Sequence, residues 1–191
     1  MTEKRRIIVA ISGASGAIYG ISLLKILQKI DDVETHLIIS KAAQLTIAQE
    51  TSYNLKQVQE LASCVYNPAD IAAPISSGSF STDGMIVAPC SVRSLAEIAT
   101  GTGGTLLGRA ADVTLKERRR LVLMVRETPL HAVHLRHMIT VSDLGGVIAP
   151  PVPAFYNLPS NIDDLVTHNV GRVLDLFGIS SPDMRRWSGM D

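Results

Sequence analysis

A chain of 191 residues, 46% hydrophobic and with Lys+Arg and Asp+Glu balanced at 18 each, can build a full core without disulfide or metal staples, since a domain of this size buries about 70% of its unfolded surface. Zero net charge removes the long-range attraction behind non-specific binding to nucleic acid or anionic membrane, and no apolar run approaches the ~18 residues of a membrane span. Composition therefore argues for one cytoplasmic domain over 1–191, with no signal-peptide pattern at its start and with Cys64 and Cys90 as free thiols.

Ile7–Ile11 is a continuous β-branched run ended by Ser12-Gly13; apolar on both faces, it belongs in the middle of a parallel sheet. Ile18, Ile21, Leu24, Leu27 and Ile30 recur at three-residue steps and predict a helix, with Lys25, Gln28 and Lys29 off its stripe. Val33–Ile39 predicts a second strand and 42–50 a second helix. Asn67-Pro68, Pro74 and Ser76-Ser77-Gly78-Ser79 read as loops. Met85–Ala88 predicts a strand stopped by Pro89, followed by helices over 92–99 and 106–116, a strand over 121–125, a helix over 131–141 and a strand over 146–149. Pro150-Pro151-Val152-Pro153 breaks that strand, and a closing helix carries Ile162, Leu165, Val166, Val170, Val173, Leu174 and Phe177 on one face. Strands alternating with helices predict a doubly wound α/β sandwich, its ligand beyond the carboxyl ends of the strands.

The turn Ser12-Gly13-Ala14-Ser15-Gly16-Ala17 sits at that position. Its glycines permit close backbone approach, the next helix offers a positive N-terminus, and two hydroxyls can donate to an anion or polar cofactor. It lacks the Lys of a Walker A loop and the full Gly-x-Gly-x-x-Gly spacing; a merely tight βα turn is the alternative. Ala88-Pro89-Cys90-Ser91-Val92-Arg93-Ser94 repeats the design, Ser91 being equally readable as a plain N-cap. Arg126 suits a fork to phosphate or an ion pair. The run Arg109 to Arg120 reads as a solvated helix face with an Asp112–Lys116 pair at i,i+4. His131, His134 and His137 drift about 60° apart at steps of three, and no metal is expected.

Gly13-Ala14-Ser15-Gly16-Ala17-Ile18-Tyr19-Gly20, Pro89-Cys90-Ser91, Arg109-Ala110-Ala111-Asp112-Val113 with Leu115-Lys116-Glu117-Arg118-Arg119, Arg126-Glu127-Thr128-Pro129-Leu130 and Pro151-Val152-Pro153-Ala154-Phe155-Tyr156 occur in one order. Through them the chain, from about Ile7 to Trp187, resembles the UbiX-like flavin prenyltransferases, formerly described as 3-octaprenyl-4-hydroxybenzoate carboxy-lyases. The resemblance implies a Rossmann-like (flavodoxin-like) three-layer sandwich around a parallel sheet, assembled into a dodecamer with active sites at subunit junctions. It also implies the reaction: dimethylallyl monophosphate alkylates reduced FMN, a fourth ring is added, phosphate leaves, and the prenylated FMN serves a UbiD-like decarboxylase, commonly in ubiquinone biosynthesis.

Carried over by position, the resemblance implies FMN binding by Gly13, Ala14, Ser15, Ser40, Ser91, Val92, Arg93, Ser94 and Arg126. It implies binding of the prenyl phosphate by Arg109, Lys116, Tyr156 and Arg172, with Trp187 by the prenyl pocket, and catalytic roles for Ser15, Glu50 and Glu127. A leaving phosphate needs cations and an allylic cation needs aromatic faces in a dry pocket, which these residue types supply. A tail from about 178 is expected to contact the active site or a neighbouring subunit. The segment Gly103-Gly104-Thr105-Leu106-Leu107 departs from the Asn-Asn-Leu-like stretch of many relatives. Three other readings stand beside this one: an FMN carrier without chemistry, a flavin-dependent cysteine decarboxylase, and a stand-alone aromatic acid decarboxylase. The cluster of cations counts against the first, the absence of a Pro-x-Met-Asn motif against the second, and no pocket for an aromatic acid is marked for the third.

Overall fold

The computed structural model describes residues 4–181, 184–187 and 189; the expected C-terminal tail lies outside these at 182, 183, 188, 190 and 191. In chain order the elements are β1 (Arg5–Ile11), α1 (Ala17–Leu27), β2 (Val33–Ile39), α2 (Lys41–Glu50), α3 (Leu55–Gln59), β3 (Cys64–Tyr66), a 3-10 turn (Pro74–Ser76), β4 (Gly84–Cys90), α4 (Val92–Thr100), α5 (Leu106–Lys116), β5 (Arg120–Val125), α6 (Ala132–Asp143), β6 (Val147–Ile148) and α7 (Ile162–Asp175). The six strands form one sheet in the order β3-β2-β1-β4-β5-β6, every pair parallel. The order reverses between β1 and β4, the switch point where this architecture opens a crevice for ligands.

Strand alternation divides the core into two layers. Ile7, Val9 and Ile11 of β1 pack with Ile21, Leu24, Ile47, Val58, Val170 and Leu174, so α1, α2, α3 and α7 cover one face. Ile8 and Ala10 pack with Leu95, Ile98, Leu107, Ala110 and Val141, so α4, α5 and α6 cover the other. The continuous hydrophobicity of β1 is thus explained: both faces are covered. Gly20 lets α1 approach the sheet, since a Cβ there would stand 2.4 Å from the Ala88 carbonyl oxygen.

Three expectations are corrected and one gap is filled. β4 runs through the cis Ala88–Pro89 bond to Cys90 rather than stopping at Pro89. The register against β5 shifts between Val87 and Cys90, a bulge that spares the ladder the missing proline N–H, while the Pro89 carbonyl accepts from Ser12 N. Segment 54–66, to which the sequence reading assigned no element, carries α3 and β3; α3 begins in a capping box between Asn54 and Gln57. Ile162, placed by periodicity on the buried stripe of α7, is 75% exposed, whereas Val166, Val170 and Leu174 are buried. The Asp112–Lys116 pair is replaced by Arg109 to Asp112 at 2.6 Å and by Lys116 to Glu117, the first because i,i+3 neighbours on a helix are also in reach.

Candidate functional site

The carboxyl ends of β1, β2 and β4 open on a cavity of about 610 Å³ lined by residues 13–15, 40–42, 91–94, 104–105, Leu107, Arg126 and Glu127, among others. Four helices start around it. Ser40, Ser91 and Thr105 are the N-caps of α2, α4 and α5, their hydroxyls accepting from Ala43 N, Ser94 N and Gly108 N, and α1 begins after Gly16 at φ 96°. Each start leaves first-turn amides without intrahelical partners, and the positive ends of the four dipoles converge. Lys41, Arg93 and Arg126 line the same space, while Ile38, Pro68 and Leu107 give it an apolar wall. Such a cavity suits an anion joined to a flat apolar group.

The small-residue turns are physically joined. Ser12 Oγ donates to the Pro89 carbonyl at 2.8 Å and accepts from Ser91 N at 2.7 Å, locking the turn after β1 to the turn after β4. Gly13 lies so close to α2 that a Cβ would stand 2.3 Å from the Ala42 methyl. If the cavity holds the FMN that the resemblance implies, Gly13→Val is expected to lower its affinity at least about fivefold by wedging β1 from α2, overpacking of this kind costing ~1–3 kcal/mol; fluorescence titration with FMN checks it, and unchanged affinity contradicts the expectation.

Glu50 closes α2, yet its carboxylate reaches back to accept from Gly16 N at 2.7 Å, beside Ser15. Glu127 lines the cavity, and its carboxylate accepts from Thr128 N at 2.9 Å. Glu97 also lines the cavity and accepts from both Thr105 N (2.8 Å) and Thr105 Oγ1 (2.9 Å), in room left by Gly108, where a Cβ would stand 2.2 Å from its oxygen. Lys41, Glu97 and Thr105 are the polar cavity residues that the sequence reading did not assign to the site. Their signals were present: Lys41 follows the Ser40 cap, and Thr105 caps the predicted helix over 106–116. Burial pushes the Tyr19 hydroxyl above its ordinary value, against a smaller opposing pull from the Arg126 guanidinium. Burial also raises the Cys90 thiol far above its ordinary range, so it is no nucleophile.

Of the expected site residues, Gly13, Ala14, Ser15, Ser40, Ser91–Ser94, Arg126 and Glu127 line the cavity; Glu50 is not among its lining residues and stands next to it, bonded to Gly16 N beside Ser15. Arg109, Lys116, Tyr156, Arg172 and Trp187 do not line it. Arg109 donates to the Ser76 carbonyl, and Lys116 lies near Gly78, where a Cβ would stand 2.8 Å from its ammonium. Tyr156 meets Trp187 edge-on at 5.5 Å between ring centroids, and Arg172 pairs with Asp175 at 2.9 Å, as does Arg186 at 2.7 Å. Tyr156 and Trp187 are half exposed, as are Phe155 and Leu158 more fully. Within one chain these five residues therefore lie outside the cavity lining. Elsewhere, the ligand atoms of Glu34, His36 and Cys64 lie within 4.8 Å of one another. Arg6 stands 4.0 Å from that Glu34 carboxylate and Tyr66 engages His36 Nδ1, so a guanidinium already shares the ground a cation would take. Among the described residues no helix is long and apolar enough to cross a membrane.

The Flavoprotein family matches residues 1–172. Flavin prenyltransferase UbiX of Neisseria meningitidis serogroup B is 55% identical over 186 residues, 97% of this chain and 98% of that protein. The crystal structure of AnUbiX in complex with FMN and dimethylallyl pyrophosphate is 53% identical with a TM-score of 0.97, covering 99% of this chain and 100% of that one. That of the dodecameric FMN-dependent UbiX-like decarboxylase from Escherichia coli O157:H7 is 53% identical with a TM-score of 0.95, covering 96% and 100%.

Proposed function

The chain belongs to the UbiX-like flavin prenyltransferases of the Flavoprotein family, and from that membership we propose that it transfers the dimethylallyl group of dimethylallyl monophosphate to reduced FMN, releasing phosphate. Its product, prenylated FMN, serves a UbiD-like decarboxylase in ubiquinone biosynthesis, and the reaction runs in the cytoplasm, where Cys64 and Cys90, both free, stay reduced. The observation that carries this reading is the convergence of four helix starts with Lys41, Arg93 and Arg126 on one apolar-walled cavity.

That cavity fits FMN. The amides and hydroxyls of Ser15, Ser40 and Ser91–Ser94 would hold its polar and anionic groups, with Gly13 and Ala14 allowing close approach and Arg126 neutralising charge. When bound, reduced FMN supplies the nucleophilic ring that accepts the prenyl group. Glu50, beside the cavity with its carboxylate pinned by Gly16 N, would take a proton released there; Ser15 and Glu127 line the cavity and would share the catalytic work.

A prenyl phosphate needs its own cations and aromatic faces, and Arg109, Lys116, Tyr156, Arg172 and Trp187 supply them from outside the cavity. The site is complete only when neighbouring copies bring these groups to the cavity's mouth, in an assembly of the dodecameric kind. The apolar outer surface of α6, with Leu135 and Ile139 exposed, and the exposed Phe155 and Leu158 support such packing. Phosphate release from dimethylallyl monophosphate under anaerobic conditions tests the reading: release is expected only with reduced FMN present, and release without flavin contradicts it.

A further inference from the structure

Beside Tyr156 lies His168, on α7 and 9% exposed, which neither the sequence motifs nor the proposed chemistry employ. Its Nε2 is 3.2 Å from the Tyr156 hydroxyl and its Nδ1 is 2.9 Å from Asn157 Nδ2. Asn157 Nδ2 is also 3.2 Å from the Arg185 carbonyl. A carbonyl only accepts, so the Asn157 amide must present its NH2 group there, and the second hydrogen of that group points at Nδ1. Nδ1 then accepts, and the proton of a neutral His168 sits on Nε2. Burial, reinforced by the Arg172 guanidinium, holds the ring below the ordinary imidazole value against the opposing pulls of the Arg185 backbone and Asp175, which keeps it neutral near pH 7. The Arg185 carbonyl takes one hydrogen of the Asn157 amide at 3.2 Å, which leaves Nδ1 to accept the other.

The consequence falls on Tyr156. An Nε2–H donates to the phenolic oxygen, so the Tyr156 hydrogen is not spent on the histidine and remains available to donate outward, its oxygen polarised by the bond it receives. The opposite tautomer would consume that hydrogen and turn a lone pair outward, which repels an anion. Resting on the reading that Tyr156 binds the prenyl phosphate, we propose that His168 is a positioning residue that fixes Tyr156 as a hydrogen-bond donor to a phosphate oxygen of dimethylallyl monophosphate.

The test compares His168→Met, which fills similar space without donating, with His168→Gln, whose amide can accept from Asn157 and donate to Tyr156. In full-length, FMN-loaded protein, His168→Met is expected to raise the KM for dimethylallyl monophosphate about 2- to 12-fold, the range for one lost hydrogen bond, with FMN affinity unchanged, and His168→Gln to restore it. Tyr156→Phe should raise KM similarly, and adding His168→Met to it should change KM less than about twofold, since coupled residues are not additive. An unchanged KM in His168→Met alongside a raised KM in Tyr156→Phe overturns the proposal and leaves the phosphate reading intact. An unchanged KM in Tyr156→Phe overturns both. If His168→Met fails to load FMN, His168→Leu takes its place; loss of FMN in both assigns His168 to the fold and overturns the proposal.

Discussion

Glu50→Gln is expected to cut the rate of prenylated FMN formation about 10²–10⁴-fold, the usual worth of a positioned general acid or base, while FMN still binds. The geometry separates the two roles of the side chain. As a hydrogen-bond acceptor from Gly16 N at 2.7 Å, the carboxylate steadies the turn that carries Gly13–Ser15, and a glutamine carbonyl accepts the same bond. As a proton acceptor, only the carboxylate serves. Single-turnover kinetics with reduced FMN, beside an FMN titration, check this; a wild-type rate would assign the proton to another group, the departing phosphate among them.

Arg172→Ala is expected to raise the KM for dimethylallyl monophosphate about 10- to 150-fold, the equivalent of one charged hydrogen bond at ~1.5–3 kcal/mol. Arg172 does not line the cavity, so FMN affinity should not move. Its ion pair with Asp175 has a side chain 60% exposed, and exposed pairs contribute little to stability; the thermal midpoint should therefore stay close to that of the parent. Because Arg172 does not line the cavity of its own chain, co-assembly of Arg172→Ala with Glu50→Gln subunits is expected to give more activity at low dimethylallyl monophosphate than either variant has alone. No recovery in demonstrably mixed assemblies would show that one copy supplies the whole site.

Where sequence alone sufficed, the physical cause was local. β1 was legible because a buried parallel strand is continuously apolar, and α1 because its stripe repeats at the helical period. The ligand end of the sheet was legible because Gly13 and Ser91 mark βα turns. β3 was not, since a three-residue edge strand beginning at Cys64 carries too few side chains to show a period. α3 had a readable start in Asn54 and Gln57 but only five residues of helix. Pro89 misled because a bulge, which is a property of the pair β4 and β5, decides whether a missing N–H matters. The stripe of α7 failed at Ile162, its first residue and 75% exposed, because a period fixes an angle around the axis and not what lies opposite it.

The candidate site divides along the same line. Residues on the turns after β1, β2, β4 and β5 meet because the fold brings those ends together. Lys41, Glu97 and Thr105 join them through helix starts whose importance appears only once the cavity has a shape. Arg109, Lys116, Tyr156, Arg172 and Trp187 entered through resemblance alone, since no periodicity within one chain encodes where a neighbouring copy sits. His168 was invisible for a further reason: its effect depends on which nitrogen carries a proton, and that is set by contacts with Asn157 and, through it, the Arg185 carbonyl, which no motif encodes.

The most direct measurement of the central claim is the mass of the flavin extracted after anaerobic incubation of the protein with reduced FMN and dimethylallyl monophosphate. A flavin heavier by one dimethylallyl group, less the hydrogen it replaces, and formed in step with phosphate release, is the predicted result. Recovery of FMN at its original mass after both ligands have been shown to bind would contradict the account and leave the protein an FMN-binding carrier.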